Sequence, residues 1–227
     1  MNWWVTDTLS WQNGEVFLGS WIFWVILSIV LHELGHGYAA IRQGDDTPIY
    51  TGHMTWNPLV HMGTMSLIAL AILGIAWGAM PVNPSRFKSR YGEALVAAAG
   101  PLVNLLLALL CLLLAIFWPY ARSVFPDHVF LNVSIFFFVG LMLNITLMAF
   151  NLMPVPPLDG SRILADFYPS YNRLWEGERG AVFGILAFMA LFYFGGGMIF
   201  GTAVVASRFL VDLGSSAVQA VFGAPPV

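Results

Sequence analysis

Two histidines and a glutamate stand together in the stretch Leu31-His32-Glu33-Leu34-Gly35-His36. On an α-helix, residues four apart lie on one face, so His32 and His36 can share a metal ion with Glu33 beside them. Two imidazoles at this spacing next to a carboxylate suit a zinc hydrolase. The plainer reading, ordinary polar groups on a helix, is disfavoured by the setting. His32 follows Leu18 by 14 residues of mostly apolar sequence, about 21 Å along a helix. Ionisable side chains at membrane depth cost several kcal/mol and need a partner or a task. A metal ion is such a partner.

Two ligands are too few, because a catalytic zinc generally takes three from the protein and keeps one position open. The best third candidate is Asp159, which follows Met153-Pro154-Val155-Pro156-Pro157-Leu158 and precedes Gly160. Three prolines in four positions cannot continue a regular helix, so an extended or polyproline-like segment is expected at 153–158. Asp159 could instead cap a helix Gly160–Phe167. Capping does not explain a rigid segment that delivers an acid to the end of an apolar run, and the ligand reading is favoured. Other polar residues read as structural. His53 and His61 are eight apart, a spacing that implies no shared metal. Asp127 and His128 read as turn polarity and Asp45 and Asp46 as a solvated helix end, while Asn151 is equally open to a helix C-terminal cap and to a role in the site.

These groups must be positioned by membrane elements. Of 227 residues 59% are hydrophobic and 9% charged, against roughly a quarter charged in a soluble domain. Apolar runs cover Phe17–Leu31, Met62–Met80, Ala94–Trp118, Phe130–Leu152 and Ala181–Ser207, several near the ~20 residues that cross a bilayer. The expected fold is an all-α polytopic membrane protein with 4–6 crossings, forming one integral membrane domain over 1–227. The first helix is expected over Phe17–Arg42, followed by a connector Thr47–His61 with Gly and Pro breaks and room for short strands. Trp3, Trp4, Trp11, Trp21 and Trp24 suit a membrane–water interface. No secretory signal peptide is evident. A net charge of −3 with scattered basic residues excludes a nucleic-acid patch. The single cysteine, Cys111, excludes a disulfide framework.

Topology constrains the second apolar run. If Met62–Met80 crossed fully, His36 and Asp159 would approach opposite faces of the membrane. A re-entrant hairpin at 62–80 places them on one side, together with Arg42, Arg86, Lys88, Arg90, Arg162, Arg173 and Arg179. Arg122 and Arg208 then stand opposite, as the positive-inside rule prefers.

Three motifs in order resemble the site-2 proteases, a family of intramembrane zinc metalloproteases. They are His32-Glu33-Leu34-Gly35-His36, Ala99-Gly100-Pro101-Leu102-Val103-Asn104, and Asn151 through Gly160 with its Pro-rich core. The similarity covers about Ile29 to Leu164. It is closest to the compact bacterial-type branch without an inserted PDZ domain, which also carries Asn57-Pro58-x-x-His61 and a segment like Pro81-Val82-Asn83-Pro84. That branch has an Asp-Pro pair where this chain has Gly63-Thr64.

The resemblance implies that His32, His36 and Asp159 bind Zn2+, that Glu33 is the general base, and that Asn151 binds the substrate carbonyl or its oxyanion. Asn104 would be structural or substrate-positioning, and His61 has a similar standing. The implied activity is hydrolysis of peptide bonds within or near transmembrane segments by zinc-activated water. Single-pass membrane proteins are the expected substrates, within a bacterial cytoplasmic (inner) membrane. Two other classes compete: a zinc-binding membrane transporter or sensor, and an inactive membrane scaffold. Transport favours polar sites staged across the membrane and gives no task to Glu33.

Overall fold

The computed structural model describes residues 3–225. A short helix, α1 (Trp4–Leu9), turns at Ser10–Asn13 into α2 (Gly14–Arg42). The helix begins three residues before Phe17, at Asn13 in the left-handed conformation. It ends where Gly44 takes φ 96°, a conformation that glycine adopts at little cost. The connector then holds α3 (Thr47–Tyr50) and turns; no strand occurs among the described residues.

The second apolar run forms α4 (Pro58–Leu73), opened by Pro58 at its first turn and capped by the Asn57 side chain, which accepts the Leu59 N–H at 3.0 Å. It is kinked at Gly63 and ends at Gly74 in the left-handed region. The chain then comes back along α4 as an irregular extended limb, 75–83. Trp77 N–H donates to Ser66 Oγ and Trp77 C=O accepts from the same hydroxyl, at 2.8 and 2.7 Å. Ala79 N–H donates to the His61 carbonyl at 2.9 Å. At the base of this hairpin, Asn83 N–H donates to Asp45 Oδ2 at 2.6 Å and Lys88 N–H to the Gln43 carbonyl at 2.9 Å. Asp45 is therefore no solvated helix end. It is fully buried, and its other oxygen takes the Thr47 N–H and hydroxyl.

Three long helices carry the rest of the frame: α5 (Gly92–Phe117), α6 (Asp127–Asn151), and a run in which α9 (Gly177–Ala190) continues through a π turn at Leu191–Gly195 into α10 (Gly196–Phe222). Between them lie two short helices, α7 (Asp159–Phe167) and α8 (Pro169–Asn172). Four helical stretches are long and apolar enough to cross a membrane: Gly14–Arg42, Gly92–Ala121, Asp127–Asn151 and Gly177–Phe222. Short turns join α5 to α6, so they run antiparallel, and α2 runs parallel to α6. Trp24 on α2 donates its indole N–H to the Phe136 carbonyl of α6 at 2.9 Å. Trp24, Ile29, Cys111, Val139, Leu141 and Met142 form the buried centre of the bundle.

Small residues let α2 and α5 approach closely. A side chain at Gly35 would lie 3.0 Å from the Ala99 carbonyl and 2.8 Å from Val103. The Pro-rich segment 153–158 is non-helical, as its prolines require. It is folded by two tight turns, Val155 N–H to Met153 C=O and Leu158 N–H to Val155 C=O, both 2.9 Å, rather than drawn out straight.

Candidate active site

His32 and His36 occupy adjacent turns of α2, on the face that meets α5, and Asp159 begins α7. All three are buried. Asp159 does not cap its helix, because Leu158 holds the N-cap position and no side-chain cap bond is present. Its place is set by how α7 docks. Gly160 packs against the Leu152 carbonyl at the end of α6, where a side chain would collide. Two ties then fasten α7 to the start of α5. Arg162 pairs with Glu93 at 3.4 Å, and Asp166 accepts the Ala94 N–H at 2.8 Å.

His32 Nε2, His36 Nε2 and Asp159 Oδ2 lie 2.9, 3.1 and 3.3 Å from one another. What the other ring nitrogens do decides the protonation. His32 Nδ1 faces Asn104 Oδ1 at 2.6 Å, and His36 Nδ1 faces the Val96 carbonyl at 2.7 Å. Both oxygens only accept, so each Nδ1 carries its ring's proton and each Nε2 of a neutral imidazole presents a lone pair. Two bare nitrogens and a carboxylate oxygen at this range repel one another without a cation among them. Tetrahedral zinc at 2.0–2.1 Å from its ligands sets them about 3.3–3.4 Å apart, close to the spacing seen. Gly100 completes the fit, since a side chain there would fall onto both Nε2 atoms. The residues therefore fit zinc.

The second layer extends further than the sequence indicated. Asn104 Nδ2 donates to Asn144 Oδ1 at 3.0 Å, and Asn144 Nδ2 to the Gly140 carbonyl at 2.9 Å. Both asparagines are 0% exposed. Asn104 thus orients His32, and Asn144, which sequence reasoning passed over, orients Asn104. A polar residue in the middle of the apolar α6 run was the available signal.

Glu33 points to the opposite neighbour. A side chain at Gly78 would lie 2.6 Å from Glu33 Oε1, so the returning limb passes directly over the carboxylate. Asn151 is half-buried and donates to its own helix at the Leu147 carbonyl, 3.0 Å away; no bond joins it to the His–Asp group. His61 is buried and hydrogen-bonds the Thr55 carbonyl through Nε2 at 2.7 Å, while its Nδ1 has no partner among the described residues. His53 bonds the Thr51 carbonyl and hydroxyl. Neither of these histidines joins the three-residue group.

A model of Peptidase family M50 matches residues 20–128 and 122–195. The chain belongs to peptidase family M50. This M50 chain is 36% identical over 171 residues to the Bacillus subtilis (strain 168) protein named "Putative zinc metalloprotease YwhC", covering 74% of the chain and 77% of that relative. Rip2 of Mycolicibacterium smegmatis, likewise named, is 35% identical over 60% of the chain and 52% of its own length. "Zinc metalloprotease MJ0392" of Methanocaldococcus jannaschii is 29% identical over 69% of the chain and 36% of its own length. No solved structure matches. M50 membership carries the site-2 protease resemblance of the three motifs, and the relatives' names, zinc metalloproteases, agree with a zinc cofactor for the family. With four helices of crossing length, this is a membrane-integral member of a zinc metalloprotease family.

Proposed function

We propose that this M50 protein is an intramembrane endopeptidase that cuts single-pass membrane proteins within or near their transmembrane segments. The observation that carries the reading is the pairing of a buried His32–His36–Asp159 group with Glu33 under an extended limb. Its two histidines sit on the apolar helix α2, His32 ten residues before the Arg42 end, or about 15 Å along the axis.

His32, His36 and Asp159 would hold the metal. When bound, zinc supplies Lewis acidity, acidifying water and polarising the peptide carbonyl. Glu33 accepts the proton of the attacking water and passes it to the amine as the C–N bond breaks. Asn151 is placed by its motif to donate to the carbonyl oxygen, which requires its amide to turn from Leu147.

A substrate helix hides its carbonyls in internal hydrogen bonds, so it must unwind locally, and an opened segment needs a template. The limb 75–80 supports that role better than 153–158, whose amides at Val155 and Leu158 are used in turns. Trp77 and Ala79 bond towards α4, while the backbone groups of Ala76, Gly78 and Met80 have no hydrogen-bond partner among the described residues. The free backbone groups lie on the edge away from α4, and the α-carbon face of Gly78 packs on Glu33, which puts this edge beside the carboxylate. An opened substrate can add to this edge by strand pairing.

The domain is read as a single unit. The hairpin 58–83 is read as dipping into the bilayer and returning, with the active site nearer the cytoplasmic face of a bacterial inner membrane. The deciding experiment compares wild type with Glu33→Gln for zinc content and cleavage of single-pass substrates. Both should bind one zinc per chain, and the variant should lose about 10²–10⁴-fold in rate. Equal cleavage by the variant ends the role given to Glu33. Zinc retention with no cleavage by wild type over a broad substrate panel favours a binding or scaffolding role.

A further inference from the structure

The far end of the hairpin has a hydrogen-bonding problem. α4 stops at Gly74, and the last carbonyls of a helix have no partner within it. Such groups take water or a side-chain donor from outside the helix. Three indoles meet them: Trp3 Nε1 donates to the Ile72 carbonyl at 3.1 Å, Trp4 Nε1 to Ala71 at 3.1 Å, and Trp21 Nε1 to Gly74 at 3.3 Å. The Trp4 ring also covers Gly74, where a side chain would stand 3.1 Å from the indole. An aromatic row, Trp11 on Phe17, Phe17 on Trp21 and Trp21 on Phe200, fixes this cluster to α2 and α10.

Among the described residues, the hydrogen bonds tying the hairpin 58–83 to the segment 3–46 occur only at its two ends. The base is tied through Asn83 to Asp45, and the tip through the three indoles. Trp77 and Ala79 bond α4 itself, so they hold the hairpin together without fixing its place. Met62, Leu67 and Leu70 pack on α2 through apolar contacts, which are non-directional. Only three residues separate Gly74 from Gly78, which lies over Glu33.

We propose that Trp3, Trp4 and Trp21 are positioning residues that latch the hairpin tip and thereby set the gap between the limb 75–80 and Glu33. Released, the hairpin swings about its base and Gly78 leaves the carboxylate. The inference rests on the protease reading for its kinetic consequence and stands apart from it for its structural one.

The test replaces Trp3→Phe and Trp4→Phe together, keeping the rings and deleting both N–H donors. Trp118→Phe, which removes an indole bond to Phe130 remote from the hairpin, is the control. Spin labels at Leu73→Cys on the tip and Leu131→Cys on α6, both exposed, report the tip position. The double variant should keep wild-type zinc content and thermal midpoint, broaden the label distance distribution, and lose about tenfold in kcat; the control should change none of these. If the double variant folds poorly, Trp4→Phe alone is read the same way. An unchanged distribution overturns the latch, as does a broadened one with wild-type kcat. Should wild type cleave nothing, the protease reading fails separately and the distance distribution still decides the latch.

Discussion

Asn144 touches no metal ligand, yet its amide closes a buried chain from His32 through Asn104 to the Gly140 carbonyl. An amide in that position has a fixed orientation, because one end must accept from Asn104 and the other must donate to the helix. It therefore forces Asn104 to offer oxygen, not nitrogen, to His32 and keeps the proton on Nδ1. Asn144→Leu keeps the branched shape and removes both bonds. Zinc affinity, measured by chelator competition, should weaken about 10–100-fold, the usual cost of losing an outer-layer partner. Asn104→Leu should do the same. Because the two act in series, the double variant should lose little more than either alone; fully additive losses would show that the residues act independently. His32, Glu33 and His36 were legible because one helix turn encodes their relation. The link from His32 to Asn104 and Asn144 spans three helices, and no local spacing encodes it.

At the scale of elements, the apolar runs located α2, α5 and α6 to within a few residues, since length and composition set their ends. The returning limb 75–83 was not legible as an extended chain, because its partners are the Ser66 hydroxyl and the His61 carbonyl rather than a neighbouring strand. Asp45 was misread for the same reason: its role lies in Asn83, 38 residues away. Burial works against its charge, but bonds from the Asn83 N–H and from Thr47, with Arg86 nearby, hold its pKa below the ordinary value. A depressed carboxyl pKa stabilises the fold fully above the unfolded value of about 3.9, and the contribution is lost as pH falls through that value towards the folded one. Asp45→Asn puts an amide nitrogen or a weaker acceptor against these donors and should cost about 1–3 kcal/mol near neutrality. Denaturation in detergent from pH 6 to 3 should then show a shallower loss of stability in the variant than in wild type. Parallel curves would mean that Asp45 is not the acid-labile clasp between α2 and the hairpin.

For the whole molecule, the arrangement of crossings follows from where the hairpin begins and ends. Its two limbs return the chain to the Arg42 end of α2, so α2 and α6 run in one direction and bring His32 and Asp159 together. The last helical stretch, Gly177–Phe222, has 46 residues, or about 69 Å, over twice the ~30 Å apolar core. Because it is one continuous helical stretch it counts as one crossing, and its far end lies beside the α5–α6 turn, where Tyr120 donates to the Gly223 carbonyl at 2.7 Å. This places Arg42, Arg86, Lys88, Arg90, Arg162, Arg173 and Arg179 at one end, with Arg122 and Arg208 towards the other. On the proposed topology the positive-inside rule puts the larger group in the cytoplasm. Cysteine labelling tests the assignment with Tyr50→Cys, Ser89→Cys and Val124→Cys, all at exposed positions, since the native Cys111 is buried. A membrane-impermeant thiol reagent should reach positions 50 and 89 only from the cytoplasmic side and position 124 only from the other. Labelling of 50 and 89 from opposite sides would make 58–83 a full crossing. That result would be incompatible with a hairpin whose base is tied by Asn83 to Asp45, and the shared site of His36 and Asp159 would lose its topological support.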